Sequence, residues 1–244
     1  MKLFFFIMLA VVLNNFSVWS QTHRSTFQST EKVIDIEEKA DPKVVFLFDN
    51  FKSAKIYYPD KYAELNINYR LLRDEVIVKT DESKVKTLST RDKFDSILVN
   101  NMNFIYNDNF GYLEKIDKDG DFYIKHVTTY ITDVVMQGAY GEASPSSSVA
   151  KATDAQVGRS RKRGGIRPYE FENTAQNPIR VTLTYRPKLA MIVDDELITF
   201  RTRRNLNDVF SDYRSEIRRY VRSENISFDQ REDLIRLSEY LKTL

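Results

Sequence analysis

The residues with the clearest claim to chemistry are the aspartates of the run Asp117-Lys118-Asp119-Gly120-Asp121. Asp117, Asp119, Gly120, Asp121 and Ile124 fall on positions one, three, four, five and eight of a calcium loop, which needs oxygen ligands alternating along a tight turn. The match then breaks: Phe122 replaces the central glycine and Thr128 stands where a bidentate glutamate belongs. Asp119-Gly120 is a strong turn dipeptide between two strand patterns, so the run reads as a hairpin turn, with weak divalent binding at Asp117, Asp119 and Asp121 as the alternative. The chain has two histidines, His23 and His126. A two-histidine metal site would need both, and no His-Glu-x-x-His helix is present. A serine triad would rest on His126 alone, without a Gly-x-Ser-x-Gly elbow, so this strand histidine reads as a packing or exposed polar residue. The seven glycines follow neither GxGxxG nor P-loop spacing, so no phosphate cradle and no cofactor is expected. Asp194, Asp195 and Glu196 are adjacent, whereas glycosidase carboxylates flank a substrate at separations of about 5 to 9 Å; they read as turn formers.

Cationic chemistry is concentrated late in the chain. Residues 21 to 158 carry a net charge of −4, and residues 159 to 244 a net charge of +5. The basic run holds Arg159, Arg161, Lys162 and Arg163, and a helical stretch further on holds Arg218, Arg219 and Arg222. These seven residues are the expected partner contacts, with a solvated, protease-sensitive surface as the plain alternative.

The start of the chain decides which partners suit that charge. Lys2 supplies a positive n-region, and the unbroken apolar run Leu3 to Leu13 has the length of a secretory h-region. It is shorter than the roughly 20 apolar residues that span a bilayer. Val18-Trp19-Ser20 places modest residues where signal peptidase needs them, so residues 1 to 20 are expected to be a cleaved signal peptide and the mature chain is expected to have no transmembrane span. Export makes nucleic acid an unsuitable partner and favours an envelope protein, anionic lipid or lipopolysaccharide phosphates. The chain has no cysteine, which excludes thiolate catalysis and disulfide staples and leaves apolar burial to stabilise the fold. Its one tryptophan, Trp19, lies in the signal, which counts against a tryptophan platform for sugars although 14 tyrosines remain.

The elements that would position these groups are mostly strands. Residues 21 to 42 are polar and charged, and read as a flexible or loosely docked arm. From Lys43 to about residue 136 the chain shows short apolar or alternating runs with β-branched and aromatic enrichment, the first part of a β-rich domain expected over residues 43 to 200. Leu65, Ile67 and Tyr69 alternate with polar residues before Arg73-Asp74 and the next strand, a half-buried hairpin by period. Strands also follow at Phe122 to Val135, Ile179 to Tyr185 and the hairpin Leu189 to Phe200. Between them, residues 138 to 177 lose all periodicity and read as a disordered loop. From residue 201 the period becomes helical: Leu206, Phe210, Tyr213, Ile217 and Tyr220 form one stripe with Asn205 as N-cap. A second helix begins at Ser227 with a Ser-x-x-Gln capping box to Gln230. The expected fold is mainly β, an antiparallel meander closed as a sandwich or barrel-like sheet, with a C-terminal two-helix hairpin packed on it.

Lys55-Ile56-Tyr57-Tyr58, the Asn68-Tyr69-x-Leu71-x-x-Asp74-Glu75-Val76 core that follows, and the tail with Phe210-x-Asp212-x-x-x-Glu216-Ile217-x-x-Tyr220-Val221 and Glu232-Asp233-Leu234-Ile235 form a pattern. It resembles a class of exported, largely uncharacterised envelope proteins of Bacteroidota. The resemblance implies a Gram-negative envelope location, periplasmic, outer-membrane-associated or at the cell surface, and transfers no catalytic residue. With it comes a modification expectation: Asp95-Ser96-Ile97 looks like the Asp-Ser/Thr-apolar sequence on which such bacteria attach O-linked glycans, at Ser96. Asn225-Ile226-Ser227 fits an N-glycosylation sequon, relevant only in a eukaryotic host. The function expected from these residues is a non-enzymatic envelope protein, an accessory or interaction subunit. A glycan- or small-ligand-binding module is the alternative, and a hydrolase ranks last.

Overall fold

The computed structural model describes residues 22–80, 84–90, 94–116, 122–137, 143–145, 170–172 and 178–244 of the 244-residue chain. The expected signal peptide, the aspartate run at 117 to 121 and the basic run at 159 to 163 lie outside them.

The described residues open with β1 (His23–Ser29) and β2 (Val33–Asp35), then two single helical turns, α1 (Ile36–Lys39) and α2 (Pro42–Val45). A run of short strands follows: β3 (Lys52–Tyr57), β4 (Tyr62–Arg70), β5 (Glu75–Lys79), β6 (Val85–Thr87), β7 (Ser96–Val99), β8 (Met102–Asn107) and β9 (Gly111–Lys115). Two long strands, β10 (Phe122–Gln137) and β13 (Ile179–Val193), form the spine. Between them come β11 (Ala143–Pro145) and β12 (Glu170–Glu172), and β14 (Glu196–Phe200) folds back on β13. The tail is α3 (Arg203–Val209), a 3-10 turn (Ser211–Tyr213), α4 (Arg214–Ser223) and α5 (Arg231–Leu241).

Every strand pairing among the described residues is antiparallel. The main sheet runs β1-β13-β10-β9-β8-β7-β3-β4-β5-β6, with β11 beside β10 and β14 beside β13. The sequence leaves closure undecided between sandwich and barrel-like; among the described residues the sheet is open, ending at β1 and β6. Its tight hairpins rest on residues that tolerate left-handed backbone. Asn100 and Asn101 (φ 48° and 64°) join β7 to β8, and Asp194 and Asp195 (φ 50° and 60°) join β13 to β14. Two left-handed residues in succession match the strand twist of a two-residue hairpin.

The N-terminal arm is a correction to expectation. β1 pairs with β13 along its full length, and Ile34 and Ile36 are completely buried. Asp35 caps α1, its side chain accepting from the Glu37 and Glu38 amides. The segment is polar because its exposed positions alternate with the few apolar side chains that enter the core. Within the stretch expected to be structureless, β11 pairs with β10 and β12 with β2; the rest of that stretch lies outside the described residues. β13 also runs unbroken where two strands were expected. Its outer neighbour is β1 up to Tyr185 and β14 from Leu189. Pro187 stands in the gap between them, the kind of irregular place a sheet tolerates proline.

Two cores result. The first joins Ile56, Ile67, Val99 and Phe104 to Val181 and Leu183 through Ile34, Ile36, Val44 and Phe48. Residues 44 to 48 are tied to β4 by the Leu47 amide to Tyr69 carbonyl and Leu71 amide to Val45 carbonyl bonds, and to β10 by the Thr128 hydroxyl donating to the Val44 carbonyl at 2.8 Å. The second core lies under the tail, where Phe122, Ile124, Leu189 and Phe200 meet Leu206, Ile217, Leu234, Leu237 and Leu241. The helices thus pack on the sheet, as expected, with local differences. Thr202, not Asn205, caps α3, and α3 and α4 are separate because the chain turns at Phe210 and Ser211. The last helix starts at Arg231. Ser227 belongs to the turn before it, held by its amide donating to Asp233 Oδ2 at 2.9 Å.

Candidate functional site

At the boundary between the two cores lies a line of polar side chains, where the sheet changes the layer it packs against. His126 sits on β10 between Ile124, in the second core, and Thr128, which reaches the first. It is 2% exposed. Its Nε2 lies 2.9 Å from Glu114 Oε2, and its Nδ1 lies 2.8 Å from the Tyr185 hydroxyl. Glu114, 1% exposed on β9, receives a two-pronged contact from Arg231 at the start of α5: Nε to Oε1 at 2.9 Å, and Nη2 to the same oxygen. Burial alone would raise the Glu114 pKa, but the hydrogen bonds from His126 and Arg231 outweigh it and hold the carboxyl below its ordinary range. An ionised carboxylate only accepts, so His126 carries a proton on Nε2, and in the neutral ring Nδ1 accepts from the Tyr185 hydroxyl. Burial, with Glu114 nearby, pushes the Tyr185 hydroxyl well above its ordinary pKa.

A second buried pair stands alongside. Lys125 Nζ donates to both Asp74 oxygens at 2.9 and 3.0 Å and to the carbonyls of Phe110 and Tyr112 at 2.8 and 2.9 Å. The Tyr69 hydroxyl also donates to Asp74, and burial followed by that carboxylate raises the Tyr69 pKa well above normal. Asp74 is itself left-handed (φ 53°), at the end of the β4–β5 turn. Gly111 makes room for it: a Cβ there would lie 1.7 Å from Asp74 Oδ2, at a backbone φ of 72°. The ring of Tyr69 meets His126 edge-on at 6.5 Å, so the two networks share one aromatic boundary.

The residues singled out in the sequence are dispersed. Both histidines flank one ring: His23 and His126 stack on Tyr185 with centroids 6.3 and 6.1 Å away. Among the described residues no group of three His, Asp or Glu is placed to hold a metal ion. Asp194 and Asp195 are the hairpin turn. Ser96 is half-buried on β7, opposite Tyr57, and Asn225 is exposed at the end of α4 (φ 50°). Arg218, Arg219 and Arg222 are all exposed on α4. The polar groups that pattern reading missed are Asp74, Glu114, Lys125, Tyr185 and Arg231. Their one signal was the pair Lys125-His126 in the middle of an otherwise strand-like run.

Of the openings near this boundary, a shallow pocket beside Pro187 holds about 80 Å³ and is lined by Thr129, Arg186, Phe228 and Asp229 among others. That is below the roughly 300 Å³ at which small-molecule sites begin. The buried groups are each satisfied by one another, and their arrangement orients the tail helix on the sheet. The protein is thus a large open antiparallel sheet carrying a helical layer, locked by a buried ionic seam. Comparison with protein families, with characterised proteins and with solved structures finds no match to this chain. No helix among the described residues is long and apolar enough to cross a membrane.

Proposed function

We propose that the chain is a non-enzymatic exported envelope protein, periplasmic or associated with the outer membrane, that serves as an accessory or interaction subunit. The observation that carries this reading is the outer face of α4, where Arg218, Arg219 and Arg222 stand exposed side by side. Ile217 on the same helix is completely buried. α4 is therefore anchored on one side and presents a cationic row on the other, a form suited to an acidic protein surface. The apolar leader and the resemblance to Bacteroidota envelope proteins support the location, and His126, Glu114 and Lys125 act here as structural groups. The test is purification of tagged protein from its native envelope. A stoichiometric partner is expected to co-elute with the wild type and to be lost when Arg218, Arg219 and Arg222 are changed to Glu. A chain that elutes alone, or a partner indifferent to the triple change, overturns the reading.

One observation favours a second reading, a glycan-binding surface. Tyr57 and Tyr62 oppose each other across β3 and β4 with ring centroids 6.2 Å apart, and Tyr62 is 57% exposed. Lys55 lies over the Tyr62 ring at 5.3 Å. Amphipathic rings of this kind can stack on sugars. Thermal stability unchanged across a glycan panel counts against it.

A further inference from the structure

The two ends of the main sheet are built differently. β6 is three residues long, fully exposed, with Lys86 at its centre. Shortness and lysine are common ways of keeping an edge from pairing. β1, at the other end, is seven residues long, contains neither proline nor lysine, and among the described residues has no strand on its outer side. It is also held firmly in place. All seven residues pair with β13, Phe27 packs against the first core, and Ser25 Oγ accepts from the Asp41 amide at 3.0 Å.

We propose that two copies of this chain pair through β1, antiparallel about a twofold axis normal to the sheet at Thr26. This register opposes all seven residues; a shift of the axis to Ser25 would leave Gln28 and Ser29 without partners. It sets Arg24 against Gln28 of the second copy, twice, and brings no like charges together. Thr26 meets its own counterpart, continuing a hydroxyl row that begins with the 3.2 Å contact between the Thr26 and Thr182 hydroxyls. Cross-strand threonine pairs of this kind stabilise antiparallel sheets. A twofold contact must be self-complementary, and this strand meets that condition residue by residue. The proposal is independent of the envelope reading and stands or falls on strand pairing alone.

Sedimentation equilibrium of the purified protein over a range of concentrations tests it. The wild type is expected to follow a monomer–dimer equilibrium. Gln28→Arg places arginine against arginine at both ends and weakens the dimer by roughly three- to tenfold, while Gln28→Glu forms two opposite-charge pairs and tightens it by a similar factor, less so in high salt. Arg24 and Gln28 are exposed, so both variants are expected to keep the wild-type melting temperature at a concentration where each is monomeric. A wild type that stays monomeric, a larger oligomer, or a dimer unmoved by either substitution overturns the proposal.

Discussion

His126 shows how one residue can hold two layers. It is two positions along β10 from Ile124 in the apolar floor of the helical layer, and its two nitrogens tie β9 to β13 while Glu114 passes the connection on to Arg231. Removing one partner of a buried charged pair leaves the other desolvated, at a cost of about 3 to 5 kcal/mol. The Arg231 side chain is 18% exposed, so Arg231→Ala is expected toward the lower end, about 3 kcal/mol, measured by urea unfolding. The pH dependence has a worked sign. The Glu114 pKa is depressed in the fold, so its contribution is present above the ordinary carboxylate range and is lost as pH falls through the folded value. The Tyr69 and Tyr185 hydroxyls are raised, so their contribution is full below the ordinary tyrosine pKa of 10.0 and is lost as pH rises beyond it. Melting temperature against pH is expected to fall at both extremes, with Glu114→Gln flattening the acid limb. An acid limb identical in that variant would assign the effect elsewhere.

Among the elements, the turns were the most legible. The Asp194-Asp195 pair was recognisable as a turn former, and the structure adds that both residues are left-handed. Glycine adopts that backbone without a Cβ penalty, so Asp195→Gly is expected to raise stability by less than about 1 kcal/mol, read from the denaturation midpoint. The helices were legible in period and less so at their ends. The stripe from Leu206 to Tyr220 is real, yet Phe210 and Ser211 divide it, because the second core needs the chain to change direction between Leu206 and Ile217. The capping pattern at Ser227 was also legible, but Ser227 lies in the turn before the helix, with its amide donating to Asp233, and the helix starts at Arg231. β1 was not legible at all: with one apolar side chain in seven residues it has no periodic signal, and β13 alone makes it a strand.

Across the whole molecule, the tail is the lid of the second core. Deleting residues 201 to 244 would uncover Phe122, Ile124, Leu189 and Phe200, and the truncated chain is expected to aggregate or bind a hydrophobic dye, whereas the full chain does not. The sequence by itself determined the mainly antiparallel β class, the helical tail, the hairpin turns and the lack of thiol chemistry, since these follow from local period, turn residues and composition. Only the tertiary structure decided that the sheet stays open, that residues 34 to 48 fill its first core, and that Glu114, His126, Tyr185 and Arg231 meet. Glu114 and Arg231 are 117 positions apart. Neither shows a local signal, because a buried charge is specified by the group that satisfies it, and that group becomes a neighbour only when the strands pair and the helices pack.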